Sequence, residues 1–107
     1  MALDDLPGGR VLLADHVNLS IWLQTLDVAE ETVGHWHEIV TDTFTVVRGE
    51  VAVDRRSGGC VVLAEGSSHG VPPGVRHRLR NTGSAQAVVV TVQTGGRRDF
   101  NVEQDQK

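Results

Sequence analysis

Apolar and polar residues alternate along most of this chain, and Val, a β-branched residue, fills many of the apolar positions. That is the pattern of half-buried strands, not of helices. It predicts strands over residues 10–15, 19–28, 32–38, 43–48, 50–55, 60–64, 75–80 and 86–94. Between them stand Pro7-Gly8-Gly9, Arg48-Gly49-Glu50, Ser57-Gly58-Gly59, Glu65-Gly66-Ser67 and Asn81-Thr82-Gly83, which hold residues that start tight turns or tolerate positive φ. One helical turn fits over 27–32, and residues 95–107 are polar, with Phe100 and Val102 to anchor them. Many short strands at close spacing make a sandwich or barrel, so the expected fold class is all-β. Strand parity assigns Phe44, Val46, Val51, Val53, Val62, Leu79, Val88, Val90 and Val92 to the core or a pocket wall.

The same parity gathers the histidines. In Gly34-His35-Trp36-His37 two imidazoles stand two residues apart, and a strand sends both to one face. Asp42 shares its parity with Phe44 and Val46 and can aim at the same interior; it also reads as an ordinary turn residue after Thr41. Later, Pro72, Pro73 and Gly74 force a turn before the strand that carries His77, and closing the strands into a barrel brings this third imidazole to the first pair. His69 lies on the core parity of Val71 and is a candidate proton shuttle or hydrogen-bond partner at the pocket, with a purely structural role as the plainer reading. Glu38 and Trp36 have the opposite parity and face outward. Arg76, Arg78 and Arg80 form a stripe on the face away from His77, Cys60 sits in an apolar strand as an inert thiol, and His16 receives no role.

Two segments resemble the signature motifs of the cupin superfamily: GHWHEIVTDTFTVVRG over 34–49 and GSSHGVPPGVRHRLRN over 66–81. In the second, Gly66, Pro72, Gly74, His77 and Asn81 match every fixed position. Five such letters at roughly 5% usage each arise by chance about once in a few million starts. The first motif keeps the His pair and the spacing to Gly49, but Asp42 stands where the family usually has Glu, and the usual upstream glycine is missing. The resemblance implies a cupin-type double-stranded β-helix, a jelly-roll barrel, over 1–107 as a single domain. It also implies one divalent transition metal, Fe, Mn, Ni, Co, Cu or Zn, on His35, His37 and His77, with Asp42 as fourth ligand directly, through water, or not at all.

Cupins host many reactions, so fold alone does not select one. The chain has no Tyr, which demotes the sugar-nucleotide epimerases and those lyases of the superfamily that use a tyrosine acid or base. The run VTVQTGG is similar to the end of mannose-phosphate-isomerase-like cupins, over too few residues to carry a substrate. What the resemblance implies is a metal-dependent enzyme acting on a small organic molecule, a dioxygenase or a metal-assisted lyase or isomerase. The alternative is a non-catalytic binding or storage module. A net charge of −4 with mixed signs supplies no basic field for nucleic acid. With no leader pattern, no long apolar run and a lone Cys60, the expectation is a soluble cytoplasmic protein without a membrane partner. Small open barrels cover their edges by self-association, so a homodimer is expected, with Trp36 and the N-terminal strand as contacts.

Overall fold

The computed structural model describes residues 9–56 and 58–102. They form ten strands: β1 Gly9–His16, β2 Leu19–Leu26, β3 His35–Trp36, β4 Thr41–Arg48, β5 Val51–Arg55, β6 Gly59–Leu63, β7 Ser68–Val71, β8 His77–Asn81, β9 Ala87–Thr94 and β10 Asn101–Val102. Pro7, Gly8, Ser57 and the tail from 103 onward lie outside the described residues, so the turn expectations at 7–9 and 57–59 are met only in part. No helix forms among the described residues. The expected helical turn over 27–32 is instead a tight turn, in which Glu30 N–H donates to the Asp27 carbonyl at 2.9 Å, Ala29 takes φ 65°, and the Glu30 carboxylate accepts from Asp27 N–H.

Two five-stranded sheets result, in the orders β1-β2-β9-β4-β7 and β10-β3-β8-β5-β6, with all pairings antiparallel. The core lies between them. Leu26, Phe44, Val46, Val71 and Val89 come from the first sheet, and Val51, Val53, Leu63 and Leu79 from the second. Burial alternates strictly through most of β4 and through all of β8, as residues with one face on a core require. Gly49 makes the β4–β5 hairpin possible. Its φ of +87° suits glycine, and a Cβ there would stand 3.2 Å from Ala87 Cα.

Three expectations need correction. The strand predicted over 32–38 keeps only His35–Trp36 in the ladder, because the pairing with β8 slips by one residue between the Glu31↔Arg80 bridge and the His35↔His77 pair, and residues 32–34 absorb the slip. In β9 the inward residues are Ala87, Val89, Thr91 and Gln93; Val88 is buried as expected, at 0% exposed, but Val90 and Val92 lie half-buried on the outer face. Both sets follow a period of two, and the Val-rich sequence does not say which faces in. Val62 is 57% exposed, and its neighbours Val61 and Leu63 pack inward. On the outer face of the second sheet Arg80 and Arg78 pair with Asp54, at 2.9 and 3.4 Å, and Arg78 also meets Glu31. Arg76 lies 4.7 Å over the Trp36 ring.

Candidate metal centre

His35 and His77 face each other across the β3–β8 ladder, with ring centroids 4.4 Å apart. His37 follows two residues behind His35, and its carbonyl accepts the N–H of Gly74 at 2.6 Å. Gly74, at φ +85°, ends the Pro72-Pro73 turn, so the turn that launches His77 also grips the segment that carries His37. The carboxylate comes from the other sheet. Asp42 sits on β4 between Val71 and Gln93, is 1% exposed, and points at the three rings. Its Oδ2 lies 2.8 Å from His37 Nε2, 2.9 Å from His77 Nε2 and 3.8 Å from His35 Nε2. One candidate ligand atom from each of the four residues falls within 4.8 Å of every other.

The outer ring nitrogens determine what the inner ones can do. His35 Nδ1 donates to the Val33 carbonyl at 2.9 Å, His77 Nδ1 to the Val75 carbonyl at 2.8 Å, and His37 Nδ1 to the Asp99 carbonyl. A carbonyl only accepts, so each Nδ1 carries the proton and each neutral ring turns an Nε2 lone pair inward. Three lone pairs and a carboxylate then converge with no donor among them, and His37 Nε2 is buried without a hydrogen bond of acceptable geometry. A cation resolves that arrangement, and imidazole with carboxylate suits a divalent transition metal. Without the cation, a proton shared with Asp42 takes its place. Burial alone would raise the Asp42 carboxyl, but its contacts with His35, His37 and His77 outweigh burial and hold it well below the usual carboxylate range. Burial likewise opposes charge on His37, yet Asp42 and Asp99 raise its pKa above the ordinary histidine value.

Several residues around the centre went unpredicted. Gln93 Nε2 donates to Asp42 Oδ1 at 2.9 Å, and Gln93 Oε1 accepts from Trp22 Nε1 at 2.9 Å. The polar segment after residue 95, expected to hold on through Phe100 and Val102 alone, instead builds one wall of the site. The Asp99 carboxylate accepts the N–H groups of Glu38 and Ile39 at 2.7 and 3.2 Å, Phe100 stands 4.9 Å from His35 between ring centroids, and β10 pairs with β3. Beside the cluster opens a cavity of about 180 Å³, lined by His35, His37 and Asp42 together with Arg10, Thr91 and Phe100 among others. His69 stands opposite Phe44 in the β4–β7 ladder, with its Nε2 buried and unpartnered among the described residues, and it is not part of the cavity lining. Its placement gives the shuttle role no support.

The fold and site define a class: a small jelly-roll barrel with a buried cluster of three histidines and a carboxylate that could bind a metal. Residues 22–93 match the family profile of the cupin domain, and the chain belongs to that family. No curated protein matches it in sequence. Among solved structures, an uncharacterized conserved protein with a double-stranded β-helix domain from Klebsiella pneumoniae superposes with a TM-score of 0.83 at 22% identity, over 98% of this chain and 96% of its own. An oxalate decarboxylase gives a TM-score of 0.78 at 16% identity, over 92% of this chain and 29% of its own. A sugar phosphate isomerase of the cupin superfamily from Silicibacter pomeroyi gives 0.68 at 20% identity, over 84% and 66%. At these identities the likeness is one of fold.

Proposed function

We propose that this chain is a metal-dependent cupin enzyme that holds one divalent ion on His35, His37, His77 and Asp42 and acts on a small organic molecule in the adjoining cavity, most simply as a dioxygenase. The observation that carries this reading is the cavity lining. Apart from His35, His37 and Asp42, the one ionisable side chain lining it among the described residues is Arg10, which stays protonated and cannot serve as a base near neutral pH. The chemistry a divalent ion supplies at such a site is Lewis acidity toward oxygen atoms of the substrate and, for a redox-active ion, reactivity with dioxygen. The protein's own share is to fix three neutral imidazoles through their Nδ1 bonds, to orient Asp42 through Gln93, and to line the approach with Phe44, Leu79 and Phe100. A lyase or isomerase is the second reading. It draws on Asp42, which would be the one carboxylate able to take a proton from substrate if the ion were held by histidines alone.

The test is to load the purified chain with Fe(II), Mn(II), Ni(II) or Zn(II), measure metal content, and follow oxygen uptake with enolic and diketone substrates. One ion per chain with metal-specific oxygen consumption is expected. Stoichiometric metal with no turnover and tight ligand binding would favour the binding or storage module instead. No metal after loading would overturn the reading.

We also propose that two copies pair. The outer face of the first sheet presents Val11, Leu19, Ile21, Leu23, Val90 and Val92, all half-buried, beside Thr43 and Thr45, and β1 is an edge strand with one side unpaired. An uncharged sheet face is self-complementary to a second copy. A monomeric mass at micromolar concentration would contradict pairing.

A further inference from the structure

Arg10 projects from β1 to the inner side of the first sheet, beside Gln24, and lines the same cavity as the histidine cluster. Its guanidinium carbon sits 3.9 Å over the Trp22 ring. That ring is itself fixed, since its Nε1 donates to Gln93, and Gln93 donates to Asp42. A continuous set of contacts therefore runs from the cluster carboxylate to Arg10, an exposed residue stacked on the Trp22 ring. Arg10 forms no ion pair among the described residues; Asp15, on the same strand, is taken by Arg98, which also lies against Trp22 at 5.4 Å. Burial lowers the Arg10 pKa, Asp42 opposes that and Arg98 adds to it, yet an arginine so placed remains charged. A second group in the cavity also lacks a partner. Thr91 is 6% exposed, lines the cavity, and its Oγ1 is buried with no hydrogen bond.

We propose that the cavity is built for a small organic acid whose carboxylate is gripped by Arg10, whose middle meets the Thr91 hydroxyl, and whose other end presents oxygen atoms to the histidine cluster. The inference rests on the metal-centre reading and adds the substrate class to it. Charge supports it. A divalent ion on three neutral imidazoles and one carboxylate leaves a net positive centre, and Arg10 adds a second positive charge that no carboxylate pairs with among the described residues. Shape supports it as well, because the planar guanidinium fork matches a carboxylate through two parallel hydrogen bonds. A cavity of about 150 Å³ takes benzene, so about 180 Å³ fits an acid of roughly six to ten non-hydrogen atoms.

The test uses the full chain loaded with one equivalent of Mn(II) or Ni(II), titrated calorimetrically with 4-oxopentanoate, whose carboxylate and ketone oxygen stand toward opposite ends, and with the neutral amide of the same size, 4-oxopentanamide. The acid is expected to bind at least tenfold more tightly than the amide. In Arg10→Gln that preference should collapse, with acid affinity down at least tenfold and amide affinity unchanged; Arg10→Lys should fall between. Thr91→Val should weaken both ligands a few-fold. If Arg10→Gln fails to fold, Arg10→Lys decides, with acid affinity expected to fall and amide affinity to stay unchanged. Equal affinity for acid and amide, or full acid affinity in either Arg10 variant, would overturn the carboxylate site while one bound metal per chain left the metal centre standing. Failure to load any metal would overturn both.

Discussion

Replacing Asp42 by Asn tests the electrostatic reading of the centre without removing its shape. The amide oxygen can still accept from Gln93 Nε2, now 2.9 Å from Asp42 Oδ1, and the amide N–H groups can donate to the inward lone pairs of neutral imidazoles. What vanishes is the negative charge. In the unmodified, metal-free chain His37 has a raised pKa, so the stability it lends is full below about 6.5, the unfolded value, and is lost as pH rises through the folded one. In Asp42→Asn the carboxylate no longer opposes burial, the pKa falls below the unfolded value, and the sign reverses: the variant's contribution from His37 grows as pH rises through that window. One proton bounds each limb at about 1.4 kcal/mol per pH unit. With an m-value of about 1 to 2 kcal/mol per molar urea, the variant's midpoint should rise relative to that of the unmodified chain by roughly 0.5 to 1 M between pH 5.5 and 7.5. Urea titrations in chelator at four pH values measure this. The same variant should bind divalent metal more than tenfold more weakly, beyond the low end of what losing an outer partner of a ligand costs. Parallel stability profiles for the two proteins, or unchanged metal affinity, would refute the assignment of Asp42 as the charge that organises the cluster.

Other consequences follow from the packing. Asp99→Ala leaves the N–H groups of Glu38 and Ile39 without their acceptor, costs about 1 kcal/mol, and loosens the segment whose carbonyl orients His37. Competition against a fluorescent chelator should show metal affinity down about tenfold, and an affinity equal to wild type would remove the tail from the site. Leu79→Ala, at a position 1% exposed between the sheets, should lower stability by about 2 to 5 kcal/mol in equilibrium unfolding. Asp54, pushed down to about 2 chiefly by its bond with Arg80, lends stability above its unfolded value near 3.8 that is lost as pH falls through about 2. The pair lies at the surface, with the Arg80 side chain 38% exposed, so Asp54→Asn should cost only about 0.5 kcal/mol at neutral pH, and the difference should shrink in 1 M salt.

The four cluster residues could be found from sequence because local rules place them. A period of two puts His35 and His37 on one face, and the Pro-Pro-Gly turn starts the strand of His77. Asp42 could be found for the same reason, by its parity with Phe44. The residues around them depend on which strands meet, and no local rule gives that. Arg10 reaches the cavity because β1 pairs with β2 in a register that sets it beside Gln24. Gln93 reaches Asp42 because β4 and β9 are neighbours, although 51 positions separate the two in the chain. Asp99 and Phe100 sit in a polar, glycine-led stretch with two residues in a ladder, too short to give a periodic signal. His69 shows the converse: its inward parity was readable, yet β7 is an edge strand and carries the ring opposite Phe44, outside the cavity lining.

Asp42 belongs to one sheet, His35 and His77 to the other with His37 just past its β3 strand, and the consequence is mechanical. An ion shared by all four would act as a rivet through both leaves of the sandwich. Its escape rate would then follow the rate at which the leaves breathe apart, so an agent that pries them open, such as mild pressure or low urea, should hasten loss of the ion well before the chain unfolds.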